Sequence, residues 1–150
     1  MGWIESLRGS IVGLDTTTLI YYTEANPTYI EVVDPFFKAV ERGEFIVVTS
    51  IVTLLEVLVR PFRDGDLELA QEYRDFLFDS DNVSIRFLSQ KIVEAAAHLR
   101  AFHNNIRTPD AIQMATAIDA NASFFLTNDT RLPSLPNLKT LVLEDLKKES

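Results

Sequence analysis

The 150-residue chain has no cysteine. That absence excludes a disulfide framework and a thiolate metal site, and it fits a reducing, cytoplasmic setting. Long apolar runs are also missing. None approaches the roughly 18 residues needed to cross a bilayer, so no membrane span is expected and the protein reads as soluble. The first ten residues, MGWIESLRGS, have Glu5 near their start and lack the basic opening and apolar core of a secretory signal. Positive charge is scarce: 14 Lys and Arg stand against 22 Asp and Glu, for a net charge of −8. Such a surface does not hold nucleic acid by counterion release alone. Any phosphate chemistry must then be local, and a metal ion held by carboxylates supplies a local positive field on an acidic protein. Histidine is nearly absent. His98 and His103 lie five positions apart, off a common helical face, and read as ordinary surface residues rather than a metal pair.

What is present is 47% hydrophobic residues in a length that suits one well-buried core, so residues 1–150 are expected to form a single domain. No repeat, low-complexity tract or linker interrupts them. Ile11 to Leu14 is a short apolar run that breaks at Asp15-Thr16-Thr17-Thr18 and resumes as Leu19-Ile20-Tyr21-Tyr22, which reads as strand, turn, helix. Asp15 is placed there either to cap that helix or to act as a ligand. Asn26-Pro27 marks a loop, and Asp34-Pro35 reads as the cap and first position of a helix through Val40, closed by Gly43.

Phe45 to Thr49 (FIVVT) is continuously apolar and β-branched, as in a strand buried on both faces of a parallel sheet. Ser50 caps the next helix, IVTLLEVLV, which Pro61 is expected to stop. Glu56 is its single charged residue, and a carboxylate among aliphatic neighbours either reaches solvent or faces a cation. Arg60 to Asp66 reads as a charged loop before an amphipathic helix from Leu67 to Phe78 (Leu69, Tyr73, Phe76, Leu77). Val83 to Phe87 alternates like an edge strand, and Ser89 caps a helix to about Phe102. Thr108-Pro109-Asp110 opens another helix with a hydroxyl cap, an early proline and an acid. Its face of Ala111, Ala115 and Ala117 permits close packing on a sheet, and Asn121 ends it. Strands at Ser123 to Leu126 and Thr140 to Leu143 follow, and the tail from Glu144 to Ser150 is expected to fray. The alternation predicts an α/β fold with a mostly parallel sheet of about five strands.

In such a sheet, sites form beyond the carboxyl ends of the strands. Asp15 and Asp129 follow strands directly, Glu56 sits about two turns into a helix after a strand, and Asp110 opens a helix that leads into one. All four can reach one edge. Two carboxylates about 5 Å apart repel by about 3 kcal/mol at an effective dielectric of about 20, so the group protonates or holds a cation. Oxygen ligands without cysteine or paired histidine favour Mg²⁺ or Mn²⁺ over zinc.

These segments carry a resemblance. VGLDTT around Asp15, TSIVTLLEVL with Glu56, RTPDAIQMATAI with Asp110 and FFLTNDTRL with Asp129 resemble the PIN domain family. Within it they look like the toxin ribonucleases of VapBC-type toxin–antitoxin pairs. The resemblance covers Ile11 to Leu143, and the last two segments at their spacing are its most specific part. It implies a three-layer α/β/α sandwich, catalytic residues Asp15, Glu56, Asp110 and Asp129, and hydrolysis of RNA with Mg²⁺ or Mn²⁺. Asp15, Asp110 and Asp129 become the metal ligands, braced by the hydroxyl of Thr127. A cognate antitoxin partner and a homodimer are implied with them. Thr17 stands where many such toxins have Asn, and the leader Met1 to Ser10 is longer than is common.

Residue chemistry supports the same assignment. A metal ion held by Asp15, Asp110 and Asp129 would lower the pKa of a coordinated water and orient it for in-line attack at phosphorus, and Glu56 would complete the metal shell or take the proton. Arg107 and Arg131, each two residues from an acid, are phosphate candidates, or else pair locally with those acids. Tyr21, Tyr22, Tyr29 and Phe62 read as core aromatics that are also able to stack bases. The alternative function is a non-catalytic PIN-fold module that binds protein. The four acids favour the enzyme, and the acidic surface favours the module.

Overall fold

β-Branched runs become strands and amphipathic runs become helices in the order that the pattern predicts. The computed structural model describes residues 2–147. It contains β1 (Ile11–Leu14), α1 (Thr16–Thr23), α2 (Ile30–Glu41), β2 (Ile46–Ser50), α3 (Ile51–Asp64), α4 (Leu67–Asp79) and β3 (Val83–Arg86). Beyond these lie α5 (Gln90–Phe102), α6 (Thr108–Asp119), β4 (Phe124–Thr127), β5 (Lys139–Val142) and α7 (Leu143–Lys147). The five strands form one sheet in the order β3-β2-β1-β4-β5. Every pairing is parallel, with Gly13 opposite both Val48 and Phe125 in the centre.

Side-chain alternation splits the core between the two faces. Val12, Leu14, Val47 and Leu126 pack with Phe36, Phe37, Tyr73 and Leu77 on one face. Val48 and Phe125 pack with Met114, Ala115 and Ala117 on the other. The result is the expected three-layer sandwich. α6 approaches closely because Gly13 faces it: a Cβ there would lie 2.5 Å from Ala117 Cβ and 2.9 Å from Phe125 Cδ1. The N-terminal leader joins the first face, with Leu7 buried and Trp3 stacked on Phe36 at 5.9 Å.

Several boundaries differ from the sequence reading. α2 starts at Ile30, four residues before Asp34, and Pro35 lies inside it. Val32, Val33, Phe36, Phe37, Ala39 and Val40 are all buried, so a continuous apolar stripe carries the helix through the proline. α3 likewise runs past Pro61 to Asp64, and the loop shrinks to Gly65 and Asp66. Gly65, at φ 68°, supplies the left-handed stop that Pro61 does not. Thr108 is the first residue of α6 rather than its cap; its hydroxyl accepts from Arg100 Nη1 at 2.8 Å. Glu144 to Lys147 belong to α7, anchored by buried Leu143 and Leu146, whereas Lys148 to Ser150 lie outside the described residues. Phe62 is more than half exposed, so it is not a core aromatic. Among the described residues no helix is long and apolar enough to cross a membrane.

Candidate active site

The carboxyl edge of the sheet opens into a cleft of about 660 Å³ lined by Asp15, Glu56, Asp110 and Asp129 together. Each arrives on a different element. Asp15 follows β1 directly and Asp129 stands two residues past β4, while α3 and α6 bring Glu56 and Asp110 in from the side. β1 and β4 are hydrogen-bonded neighbours at the centre of the sheet, so the two strand ends deliver their acids side by side. Thr17, Arg107 and Asn128 also line the cleft. Glu56 stands at the edge of the α3 stripe that buries Thr53, Val57 and Pro61, which holds it at the rim of the cleft.

Asp15 does not cap α1; its side chain makes no capping bond there. Instead Thr127 Oγ1 donates to Asp15 Oδ2 at 2.6 Å, and Thr127 Oγ1 itself accepts from the Asp129 amide at 3.1 Å. One hydroxyl thus ties together the two acids that follow strands. Burial pushes the Asp15 carboxyl up to about 6, against the pull of Thr127, and the nearby Asp110 and Glu56 charges add to the rise. Asp110 is also raised, first by burial and then by Asp129 and Glu56, with Arg107 opposing. Asp129 moves the other way because Arg131 hydrogen-bonds it. Arg131 grips both Asp129 oxygens, Nε to Oδ1 at 2.9 Å and Nη2 to Oδ2 at 2.8 Å. Arg107 Nε stands 3.7 Å from Asp110 Oδ2. Both arginines therefore make the local ion pairs that their spacing allowed.

A network of buried hydroxyls supports the cleft from below. Gln113, on α6 one turn after Asp110, accepts from the Ser50 amide at 3.2 Å and donates to Thr53 Oγ1 at 2.6 Å and Thr16 Oγ1 at 3.3 Å. Thr16 Oγ1 in turn donates to Glu56 Oε1 at 2.6 Å. Thr49 lies between Thr53 Oγ1, at 2.7 Å, and the Leu14 carbonyl, at 2.9 Å. At the rim, Asn128 Nδ2 donates to the Tyr21 hydroxyl at 3.2 Å, and Tyr21 stacks on Tyr29 with centroids 4.5 Å apart. Sequence reasoning missed Gln113, Thr16, Thr53 and Asn128. Helical spacing held the signal for two of them: Gln113 is three residues from Asp110 and Thr53 three from Glu56, each on its acid's face.

The donor set is all oxygen, which suits a hard divalent cation. Asp110 Oδ2 is buried without a hydrogen-bond partner, and Arg107 is too distant to provide one. An orphaned carboxylate oxygen beside two further acids fits a cation ligand. Among the described residues, however, no group of three or more His, Cys, Asp or Glu is placed to hold an ion as it stands. Glu56 is engaged by Thr16, and Asp129 by Arg131. His98 is exposed beside Phe102 and takes no part.

A parallel five-stranded sandwich with four acids at one sheet edge defines an α/β protein with a carboxylate cleft. The chain belongs to the PIN domain family, whose model matches residues 12–138. PIN domains are generally nucleases, and membership supports that class of activity. Among solved structures the chain is similar to a chain of a toxin–antitoxin complex from Klebsiella pneumoniae. The two share 23% identity and a TM-score of 0.63, over 87% of this chain and 95% of that one. It is also similar to a chain of VapBC2 from Rickettsia felis bound to a DNA fragment from their promoter. There the identity is 20% and the TM-score 0.68, over 88% of this chain and 98% of that one. At these identities the likeness is one of fold. No curated protein matches the chain at a significant level.

Proposed function

We propose that this protein is a metal-dependent endoribonuclease, the toxin of a type II toxin–antitoxin pair. The observation that carries the reading is the convergence of Asp15, Glu56, Asp110 and Asp129 in one cleft at the carboxyl edge of the sheet. Asp15, Asp110 and Asp129 are the residues that would hold Mg²⁺ or Mn²⁺. Such an ion, when bound, supplies acidity to a coordinated water and positive charge near the leaving oxygen. Thr127 fixes the rotamer of Asp15, so one of its oxygens is set toward the cleft without further ordering. Thr16 takes Oε1 of Glu56 and leaves Oε2 as the acceptor for the attacking water's proton. Arg107 and Arg131 are exposed at the rim, where each can exchange its carboxylate ion pair for an RNA phosphate.

An antitoxin partner, a homodimer and a cytoplasmic location belong to this reading. The two toxin–antitoxin complexes that share the fold support the first of these. A non-catalytic PIN-fold module is the second reading, and the Arg131 grip on Asp129 favours it. Against it, the neighbouring acids raise the charging cost of Asp15 and of Asp110, which a bound cation would relieve. Cleavage of a mixed structured RNA pool with Mg²⁺, with Mn²⁺ and with EDTA, beside Asp110→Asn, separates the two. Cuts that need the ion and disappear in the variant support the enzyme. Intact RNA under every condition, with no heat of ion binding, supports the module.

A further inference from the structure

A second hollow adjoins the cleft across Arg131. It encloses about 320 Å³ and is lined by His103, Asn104, Asn105, Ile106, Arg131 and Pro133. Asp129, the partner of Arg131, lines the cleft itself, so the two cavities meet at this ion pair. Charge also differs here from the rest of the molecule. Residues 100–133 hold three arginines (Arg100, Arg107, Arg131) and three aspartates (Asp110, Asp119, Asp129), a net of zero, against −8 for the whole chain. Asp119 is spent elsewhere, in ion pairs with Arg86 and Lys91.

Resting on the nuclease reading above, we propose that this hollow is the subsite for the RNA nucleotide next to the scissile phosphate, and that it selects the base there. Single-stranded RNA is read by stacking and by hydrogen bonds to exposed base edges. Half-buried Pro133 gives the hollow an apolar surface for a base to lie against, with buried Ile106 behind the loop. The side-chain amides of Asn104 and Asn105 take no hydrogen-bond partner among the described residues, and both residues are exposed. An asparagine amide offers donor and acceptor together, the pattern that matches a base edge. Arg131 stands between hollow and cleft, where the linking phosphate must pass.

The hollow is already formed. Arg100 donates from Nε to the Ile106 carbonyl at 3.3 Å and from Nη1 to Thr108 Oγ1 at 2.8 Å, and the Ile106 amide donates to the His103 carbonyl at 3.3 Å. With the loop braced from behind, a nucleotide meets its partners without first ordering the chain.

The test compares wild type with the double variant Asn104→Ala, Asn105→Ala on a random single-stranded oligoribonucleotide library, reading KM, kcat and the bases beside each cut. Binding of a labelled single-stranded RNA is measured in parallel in EDTA. The expected result is a KM raised by about fivefold or more, in line with a base-edge contact. The base preference at one position beside the cut is lost, kcat changes little, and EDTA binding weakens to match. Wild-type cleavage whose KM and base preference are unmoved by the double variant overturns the subsite and leaves the nuclease standing. A wild type that neither cleaves nor binds RNA overturns both.

Discussion

Asp15 carries the clearest single-residue consequence. Its carboxyl is raised in the folded protein to about 6 from 3.8, so the folded state binds more protons than the unfolded state across that interval. The contribution of Asp15 to stability is then greatest below about pH 4 and falls as pH rises through about 6, by on the order of 3 kcal/mol. Urea melts in EDTA at a series of pH values are expected to show that decline in the difference between wild type and Asp15→Asn, with the variant the more stable protein at pH 7.5. A wild-type minus Asp15→Asn difference that does not fall between about pH 4 and pH 7 would contradict the buried assignment. Gln113 makes a different prediction. Replacing it with Leu strands the Ser50 amide and removes the donor to Thr53 and Thr16, at a cost of about 2–3 kcal/mol in a urea titration. A loss below about 0.5 kcal/mol would show that the network has slack. The four acids were legible because charge is rare in apolar stretches and after strands. Gln113 and Thr16 were not, because an uncharged polar residue in a helix looks like surface until its face is known.

Elements obey the sum of their contacts more than any one residue. Both helices that contain a proline illustrate this: α2 runs through Pro35 because apolar residues on either side of it are buried together, and in α3 Pro61 is itself buried on the stripe of Thr53 and Val57, so the helix ends only three residues later. Sequence rules weigh a proline locally and cannot see that burial, whereas Gly65 is local and was available as a stop. The packing of α6 on the sheet was readable from its alanines, and it gives a sharp prediction. Gly13→Ala forces a Cβ to within 2.5 Å of Ala117 Cβ, and the overpacking is expected to cost about 1–3 kcal/mol. Ala117→Gly in the same chain is expected to recover part of the loss, since it removes the nearest atom and leaves Phe125. Thermal melts of the two single variants and the double variant check this; strict additivity would show that the two sites do not touch.

At the scale of the whole molecule, the parallel sheet converts scattered acids into one site. Asp15 and Asp129 are far apart in the chain, and they meet because β1 and β4 are paired in parallel at the middle of the sheet. The alternation of strands and helices announced such a sheet but not its order, because strand order depends on which hydrophobic faces cover each other rather than on the pattern within a segment. The order β3-β2-β1-β4-β5 is what places those two acids side by side. An overall charge of −8 sets the terms for that site: repulsion among the acids raises the proton affinity of Asp15 and Asp110, and it is offset by Arg131 or by a metal ion. A calorimetric titration of Mn²⁺ into the metal-free protein at pH 7.5, repeated with Asp110→Asn, tests the account most directly. Saturable binding is expected, weakened at least about tenfold in the variant. Absence of any binding heat, or equal affinity in the two proteins, would contradict it.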